Sequence, residues 1–388
     1  MLVVKKNSPD KSVVEIPFPT SLADRLRFKM RRRYLRSSEV GKIKLSAGAT
    51  YLSDDRSEFG AQVLQHLAGS EIINLHWIAG LLDYTEFFKN LSPGLPLVWT
   101  LHDMNPFTGA CHFDDGCGKY QDKCGACPQL NSSIVEDFSA KSWKRKNKAF
   151  ERLDADAMHI VAPSKWLADS AQSSALLSKF PVSVIPYGID TEVFQPRDKA
   201  CAREIFGIPN DAQVILFVAD RAGEKRKGLD LLVEALKELN AGQNVWFLMT
   251  GSGAVGFDLG DRVRAFEYIH DERMMSLLYS AANVFVAPSV QDNLPNTALE
   301  AMACGVPVVA FAAGGLKDLV CDEETGRLAP VGDVKALRAL LEEVLSSPQR
   351  TAKMAEASRT RAISEYTLER QAERYISLYQ KLLNGCGE

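Results

Sequence analysis

The fold class follows from one stretch of the chain, Val286-Ala-Pro-Ser-Val-Gln-Asp-Asn-Leu-Pro-Asn-Thr-Ala-Leu-Glu-Ala-Met-Ala-Cys-Gly-Val-Pro-Val-Val309. It has the pattern of a strand, a polar loop, a helix and a second strand. Such alternation predicts βαβ units and a parallel sheet. We expect Asn296 or Thr297 to cap the helix. The loop before it then offers backbone N–H groups and the positive end of a helix dipole to phosphate oxygens.

Two carboxylates mark this segment. Asp292 and Glu300 are separated by seven residues. With Asp292 in the loop and Glu300 at most two turns into the helix, both face the crevice where open α/β sheets bind ligands, at the carboxyl ends of the strands. Carboxylates in that position accept hydrogen bonds from sugar hydroxyls.

The same alternation predicts two α/β halves. The predicted strands are Ile72–Trp77, Pro96–Leu101, His159–Ala162 and Val182–Ile185 in the first half, and Val214–Ala219, Val245–Met249, Val284–Ala287 and Val306–Phe311 in the second. Predicted helices include Gly228–Asn240, Asp271–Ala281 and a final amphipathic segment, Leu368–Leu383. The Pro- and Gly-punctuated segment Pro186–Pro196 is typical of a linker between the halves.

Composition excludes several classes of protein. The 388 residues include 46 Lys or Arg and 49 Asp or Glu, and this balance argues against a general polyanion binder. A hydrophobic content of 46% excludes an intrinsically disordered chain. The sequence has neither a run of about 20 apolar residues nor a leader pattern after Met1. We therefore expect a cytoplasmic protein.

Four of the cysteines are clustered: Cys111, Cys117, Cys124 and Cys127. In a reducing compartment this spacing favours a structural zinc site over disulfides, because four thiolates close a tetrahedral site. Four protein ligands leave no open position, which argues against a catalytic metal. The alternative is four reduced thiols packed in a loop.

The run from Arg25 to Arg36 carries seven positive charges interleaved with apolar residues. A solvated helix face is one interpretation. Peripheral contact with the inner face of an anionic membrane is the other.

The Asp292 and Glu300 pair, with its flanking Pro-Ser, Glu-Ala-Met-Ala-Cys-Gly and Pro-Val-Val, resembles the Glu-x7-Glu motif of family-4 retaining glycosyltransferases of the GT-B fold. Asp replaces the first Glu. The resemblance implies that Glu300 binds the ribose hydroxyls of a nucleotide and that Asp292 contacts the donor sugar. It also implies two Rossmann-like domains facing each other across a cleft.

The loop after the strand Val214–Ala219 is similar to the family's basic loop. By that resemblance Arg221 and Lys227 neutralise the leaving phosphate without a catalytic metal, as a preorganised cation does for developing charge. Neighbouring Lys225 and Arg226 leave the register open by a residue or two.

Other matching positions imply contacts with the nucleotide sugar. These are Gly251, Gly253, Ile269, His270, Asn293, Leu294, Pro295, Asn296 and Thr297. In the first half, His102 resembles the family histidine that approaches the donor sugar, where it would orient the substrate.

Asn74-Leu-His-Trp77, Thr100-Leu-His-Asp103, Phe107-Thr-Gly-Ala-Cys-His112 and Cys127-Pro128 resemble bacterial surface-polysaccharide enzymes of the colanic-acid type. The implied domains are 1–190 on the acceptor side, 191–365 for the nucleotide sugar, and 366–388 as a helix crossing back to the first domain. The implied reaction is transfer of a sugar, with retention, from a nucleotide-sugar donor to a glycan or lipid-linked glycan acceptor.

One departure bears on activity. Family members begin with a strand, a glycine-rich loop and a helix before the segment that corresponds to Met1–Lys6, so we expect the first βα unit to be missing. The alternative function is therefore a nucleotide-sugar-binding protein with impaired catalysis. A Rossmann-type oxidoreductase is the third class considered, and we do not favour it. A Gly-x-Gly-x-x-Gly pattern occurs at 251–256, but glycine-rich turns of this kind recur in many proteins and are a weak signal alone.

Overall fold

The computed structural model describes residues 1–3, 9–17, 21–37, 52–239, 244–252 and 261–385. The chain forms two compact units. One comprises Met1–Ala162, Leu167–Val184 and Ser377–Glu388, and the other comprises Pro163–Trp166 and Ile185–Ile376. Gly253, one of the predicted nucleotide contacts, lies outside the described residues.

The first unit is an α/β unit. Its strands are β1 Leu2–Val3, β2 Val14–Glu15, β3 Ile73–Leu75, β4 Leu97–Thr100, β5 Met158–Ala162 and β6 Val182–Val184. Its helices are α1 Leu22–Ser37, α2 Tyr84–Lys89 and α3 Phe138–Phe150, with 3-10 turns at Gly60–Leu67, Asn105–Phe107, Lys119–Gln121 and Pro128–Leu130. The helices α4 Lys165–Ser173 and α12 Leu368–Gly385 have residues in both units.

The strands β3, β4, β5 and β6 pair in that order, and every pair is parallel. The rings of Tyr84, Phe88, Trp99 and Phe150 cover this sheet, with centroids 5.2 to 6.2 Å apart. Aromatic rings at these separations bury a large apolar area in edge-to-face contacts. The core of the first unit therefore lies between the sheet and the helices α2 and α3.

The second unit is built on a larger parallel sheet. Its strands are β7 Gln213–Arg221, β8 Val245–Ser252, β9 Val263–Phe266, β10 Val284–Ala287, β11 Val308–Phe311 and β12 Gly326–Ala329. Its helices are α5 Lys199–Ile205, α6 Leu229–Lys237, α7 Glu272–Ala281, α8 Asn296–Ala303, α9 Leu316–Leu319, α10 Val334–Ser346 and α11 Pro348–Glu365, with a 3-10 turn at Lys225–Lys227.

The order of strands across this sheet is β12, β11, β10, β7, β8 and β9. Counted from β7, it is the 3-2-1-4-5-6 order of the Rossmann fold. Alternate residues of β7 enter different cores: Leu216 belongs to one apolar cluster and Ile215 and Phe217 to another. The chain order reverses between β7 and β10, which is the switch point where such sheets bind ligands.

The predicted α/β class is confirmed, and each predicted strand overlaps an observed one. The strands β9 and β12 were not predicted. Their sequences, Val263-Arg-Ala-Phe266 and Gly326-Arg-Leu-Ala329, lack an apolar run, and both strands lie at the edges of the sheet. Edge strands carry charged residues more readily than central ones. No helix in the described ranges combines the length and apolarity needed to cross a bilayer.

A buried lysine ties α3 to the loop that follows β4. Lys146 is fully buried, and its Nζ donates to the carbonyl oxygens of Asn105 at 2.6 Å and Thr108 at 3.2 Å. The ammonium also lies 5.3 Å from the ring centroid of Tyr84. Buried charges persist where they are paired and hydrogen-bonded. Lys146 therefore holds this loop against the helix.

We predict that Lys146→Met destabilises the protein by about 1–3 kcal/mol, because two buried carbonyls lose their donor. Urea unfolding of the two proteins measures the difference. Lys144→Met is the matched control on the same helix, since Lys144 is half-exposed and pairs with Glu136 at the surface. An equal loss in both variants would contradict the anchoring role of Lys146.

Candidate functional site

The predicted site residues of the second unit follow the carboxyl ends of its strands. The basic loop follows β7, Gly251 lies at the end of β8, Ile269 and His270 follow β9, and Asp292 to Thr297 follow β10. Because all of these strands are parallel, their carboxyl ends share one edge of the sheet. The fold therefore gathers the predicted residues at one edge.

The buried carboxylate of Asp292 forms an ion pair with Lys227, which is partly buried. Lys227 Nζ donates to Asp292 Oδ2 at 2.7 Å, and Arg226 Nη1 lies 3.5 Å from the same oxygen. Burial acts to raise the pKa of the Asp292 carboxyl, but Lys227 and Arg226 outweigh it, so that pKa is lowered from its ordinary value. Two residues predicted to meet different parts of a substrate thus contact each other.

Two glycines allow the loops around this pair to approach closely. Gly228 has φ of +66°, and a Cβ there would lie 1.9 Å from the carbonyl oxygen of Pro288. Gly314 has φ of +51°, and its Cβ would lie 1.7 Å from the carbonyl oxygen of Asp292. Real Cβ atoms do not approach oxygen this closely, so only glycine fits at either position.

The cations of the basic loop differ in their surroundings. Arg221 has a side chain that is 58% exposed and lies 3.8 Å from Glu224, whereas Arg226 reaches both Glu224, at 2.9 Å, and Asp292. The structure therefore brings Arg226 and Lys227 to the carboxylate and leaves Arg221 outside this cluster. Sequence analysis named Arg226 only as an alternative, because consecutive cations look alike in a sequence.

Glu300 lies in the second turn of α8. Its Oε2 accepts a hydrogen bond from the Tyr279 hydroxyl at 2.6 Å. Burial raises the pKa of the Glu300 carboxyl, although the hydrogen bond from Tyr279 opposes that shift. Tyr279 was not predicted as a site residue, because its position on α7 gives no local motif.

The expected cap of α8 was wrong. The helix begins at Asn296 with Pro295 as its N-cap residue, and this residue makes no side-chain cap. Pro295 has the extended backbone of an N-cap residue, with φ of −68° and ψ of 118°, but its side chain offers no hydrogen-bond acceptor. The predicted positive end of the helix therefore has no side-chain cap of its own.

The remaining predicted contacts have varied surroundings. Asn293 Oδ1 accepts a hydrogen bond from Ser164 Oγ at 2.7 Å, and Leu294 is buried in an apolar cluster with Ile269 packed against it. His270 is exposed and lies edge-on to Tyr268 at 4.7 Å. Gly251, with φ of +136°, passes close to the carbonyl oxygen of Ala219.

In the first unit, His102 lies just after β4 and meets a second histidine. Its Nε2 is 3.0 Å from His76 Nδ1, at the end of the neighbouring strand β3. Burial and then the proximity of His76 lower the pKa of His102 to about 4. His102 is therefore an uncharged imidazole at neutral pH, and His76 is a partner that the sequence did not reveal.

A hydrogen-bonded chain of three side chains lies beside this pair. His112 Nδ1 is 2.6 Å from Asp103 Oδ2, and His112 Nε2 is 2.7 Å from Ser53 Oγ. Asp103 and His112 are both buried. Asp103 and His112 stand in motifs of the resemblance, but the sequence did not connect them with Ser53, because Ser53 and His112 are 59 positions apart.

The zinc site predicted at Cys111, Cys117, Cys124 and Cys127 is not formed. All four are free thiols that line one cavity, and among the described residues no group of three or more His, Cys, Asp or Glu side chains could hold a metal ion. Burial raises the pKa of Cys124 to about 11, which keeps it a neutral thiol. The prediction rested on the spacing of the four cysteines in the sequence, which does not determine the directions in which their thiols point.

We predict that Tyr279→Phe destabilises the protein more at neutral pH than in acid. The hydroxyl supports the charged form of Glu300, and its loss raises the Glu300 pKa further. The pKa of Glu300 is higher in the folded protein than in the unfolded chain, so the free energy of unfolding falls as pH rises from the unfolded pKa to the folded pKa. This fall is larger in the variant, because its folded pKa is higher still. Thermal midpoints measured across this range test the prediction. An equal loss at every pH would contradict it.

A known protein family matches the part of the chain that contains the candidate site of the second unit. Residues 198–361 match the family model described as glycosyl transferases group 1. This part of the chain contains the basic loop, Asp292 and Glu300. The match assigns the segment, and not the whole chain, to that family.

Two curated relatives extend beyond this segment. The chain is 30% identical over 275 residues to an MMP alpha-(1->4)-mannosyltransferase of Mycolicibacterium hassiacum, with 66% of this chain and 64% of the relative covered. It therefore spans less than two thirds of that relative. The chain is also 27% identical over 333 residues to the putative colanic acid biosynthesis glycosyl transferase WcaC of Escherichia coli, with 83% of this chain and 79% of that relative covered.

Solved structures show the fold. A sucrose-phosphate synthase from Thermosynechococcus elongatus has a TM-score of 0.67 at 21% identity, with 96% of this chain and 84% of that chain covered. The HepE protein of Anabaena, in complex with UDP, has a TM-score of 0.60 at 19% identity, with 83% and 81% covered. The likeness confirms the predicted GT-B fold with its two Rossmann-like domains.

Proposed function

We propose that this protein is a retaining glycosyltransferase. It would move a sugar from a nucleotide-sugar donor to a hydroxyl of a glycan or lipid-linked glycan, in the synthesis of a bacterial surface polysaccharide. The observation that carries the proposal is the cluster of Lys227, Arg226 and Asp292 at the ligand-binding edge of a Rossmann-type sheet. The match to a glycosyltransferase family over residues 198–361 supports it.

The cations of the cluster suit the diphosphate of a donor. Lys227 and Arg226 have side chains that are each 18% exposed, so their charges act in a partly dry site, where they stabilise an anion more than in water. Without a ligand, Asp292 holds both cations in place. A bound diphosphate would take over part of this pairing and leave Asp292 to accept a hydrogen bond from a sugar hydroxyl.

In the proposed reaction the bond from the anomeric carbon to the phosphate oxygen breaks as a bond to the acceptor oxygen forms on the same face. The proton of the acceptor hydroxyl passes to the departing phosphate. Lys227 and Arg226 stabilise the negative charge that develops on this phosphate, as preorganised donors do. Glu300 binds the ribose hydroxyls, and Tyr279 orients its carboxylate.

The relatives support a surface polysaccharide as the product. The Escherichia coli protein is named for colanic acid biosynthesis. The Anabaena structure contains UDP, which supports a nucleotide-linked donor. In this proposal residues 191–365 bind the nucleotide sugar and residues 1–190 bind the acceptor. His102 would contact the donor sugar as a neutral hydrogen-bonding group.

We predict that Lys227→Met lowers turnover on the order of a hundredfold and weakens donor binding much less, because charge on the phosphate grows toward the transition state. Isothermal titration with UDP, GDP and ADP first identifies the base. Release of sugar from the matching nucleotide sugars then measures turnover without a known acceptor. Lys225→Met is the control, since Lys225 lies exposed in the same turn.

Two outcomes would contradict this proposal in different ways. Binding of a nucleoside diphosphate without release or transfer of sugar would support the alternative, a binding protein with impaired catalysis. Equal activity of Lys227→Met and the unsubstituted protein would remove Lys227 from the phosphate site.

We also propose that α1 attaches the protein peripherally to the inner face of an anionic membrane. Leu22, Leu26, Met30 and Tyr34 recur at every fourth position and are 54 to 78% exposed, so they form one apolar strip along the helix. The other side of α1 is held to the first unit by Phe28, which contacts Phe59 at 5.7 Å, and by an ion pair between Arg31 and Asp83.

Basic residues flank this strip. The exposed ones are Arg25, Arg27, Lys29, Arg32 and Arg33. An exposed apolar strip flanked by cations fits the boundary between acyl chains and anionic headgroups, where each cation contributes roughly 1 kcal/mol. Charge complementarity therefore favours an anionic lipid surface over a protein partner.

We predict that the protein sediments with vesicles containing phosphatidylglycerol but not with vesicles of phosphatidylcholine alone, and that salt weakens binding. Replacing Leu26 and Met30 together by Ser should abolish binding. Ile134→Ser is the control, because Ile134 is an exposed apolar residue of the same unit, 66% exposed. Binding unaffected by the double substitution would contradict the role of α1.

A further inference from the structure

A cavity opens in the first unit where β3 and β4 end. Its lining includes His76, Trp77, His102, Asp103 and His112. His76 and Trp77 directly follow β3, and His102 and Asp103 follow β4. The carboxyl ends of neighbouring parallel strands are the usual place for a ligand in an α/β sheet.

Trp77 presents a broad apolar surface at this cavity. It is 48% exposed, while its indole ring stacks on the His112 imidazole with centroids 4.9 Å apart and planes 20° apart. A large aromatic ring that is supported on one side and half-exposed is a rigid surface on which a flat ligand can stack.

The support beneath Trp77 is itself fixed. Both ring nitrogens of His112 are hydrogen-bonded, one to Asp103 and the other to Ser53. Asp103 is held in turn, because its Oδ1 accepts from the Asn105 backbone N–H at 2.8 Å. Rotation of the imidazole would break both of its bonds. The ring below Trp77 therefore keeps one orientation before any ligand arrives, which lowers the entropy lost on binding.

The polar groups of the cavity are suited to hydroxyls. His76 and His102 hydrogen-bond to each other, and burial lowers the pKa of both, so they are neutral donors and acceptors. Among the residues that the structure describes, those that line the cavity include no Lys or Arg. A diphosphate would lack a counter-charge here, whereas a sugar ring needs only an apolar face and uncharged hydrogen-bonding groups.

We propose that this cavity is a carbohydrate subsite, in which a pyranose ring of the acceptor glycan stacks on Trp77 and its hydroxyls meet His76, which hydrogen-bonds to His102. The inference rests on the proposed function, since it assigns the cavity to the acceptor of that reaction. Ser53, Asp103 and His112 are positioning residues, because they act through the indole and do not contact the sugar.

The test uses the full chain and a panel of methyl glycosides of glucose, galactose, mannose and N-acetylglucosamine. Saturation-transfer NMR identifies the glycosides that bind, and titration of the best one gives its affinity. Trp77→Ala should weaken this binding at least tenfold, while Trp77→Phe, which keeps a flat ring, stays within about threefold. Ile134→Ala is the control, because it truncates an exposed apolar side chain of the same unit outside the cavity.

Titration of the same proteins with UDP, GDP and ADP separates this inference from the proposed function. Nucleotide binding should be equal in Trp77→Ala and the unsubstituted protein. The subsite is supported if Trp77→Ala loses glycoside binding while the control variant keeps it. Absence of glycoside binding in the unsubstituted protein, or binding unaffected by Trp77→Ala, overturns the subsite even where a nucleotide still binds. Trp77-dependent glycoside binding without nucleotide binding supports the subsite and contradicts the donor site.

Discussion

The buried carboxylate of Asp292 is the constraint on which the candidate site depends. A lone carboxylate in this position would lose its hydration without compensation. Lys227 and Arg226 compensate it, and they can reach it because the 3-10 turn Lys225–Lys227 lies against the loop that follows β10. The backbone N–H of Val290 also donates to the carbonyl oxygen of Arg226 at 2.8 Å. The ion pair thus joins the two loops that frame the ligand edge of the sheet.

The same constraint links the site to the sheet. Because β7 and β10 are adjacent and parallel, the basic loop and the Asp292 loop leave the sheet side by side. Gly228 and Gly314 then allow contacts that a side chain would block. The site therefore follows from strand order together with two glycines, and its cations and carboxylate are placed before a ligand binds, as electrostatic preorganisation requires.

Sequence analysis predicted the strands that form the centre of each sheet, because buried parallel strands are continuous apolar runs. It also named Asp292, Glu300 and Lys227 as candidate site residues, because they stand at fixed offsets from such strands. It missed Tyr279 and the hydrogen bonds that join Ser53, His112 and Asp103, because side chains from distant segments meet only in the folded protein. The four clustered cysteines are close in sequence, and yet among the described residues they do not form a group that could hold a metal ion.

The most direct measurement of the central claim is a double-mutant cycle on Lys227 and Asp292, read as free energies of unfolding in urea for Lys227→Met, Asp292→Asn and the double variant. The account predicts that the double variant loses less stability than the sum of the single losses, by about 1–3 kcal/mol, because each single variant leaves a buried charge without its partner. Losses that add to within about 0.5 kcal/mol would contradict the account, since independent residues behave in that way.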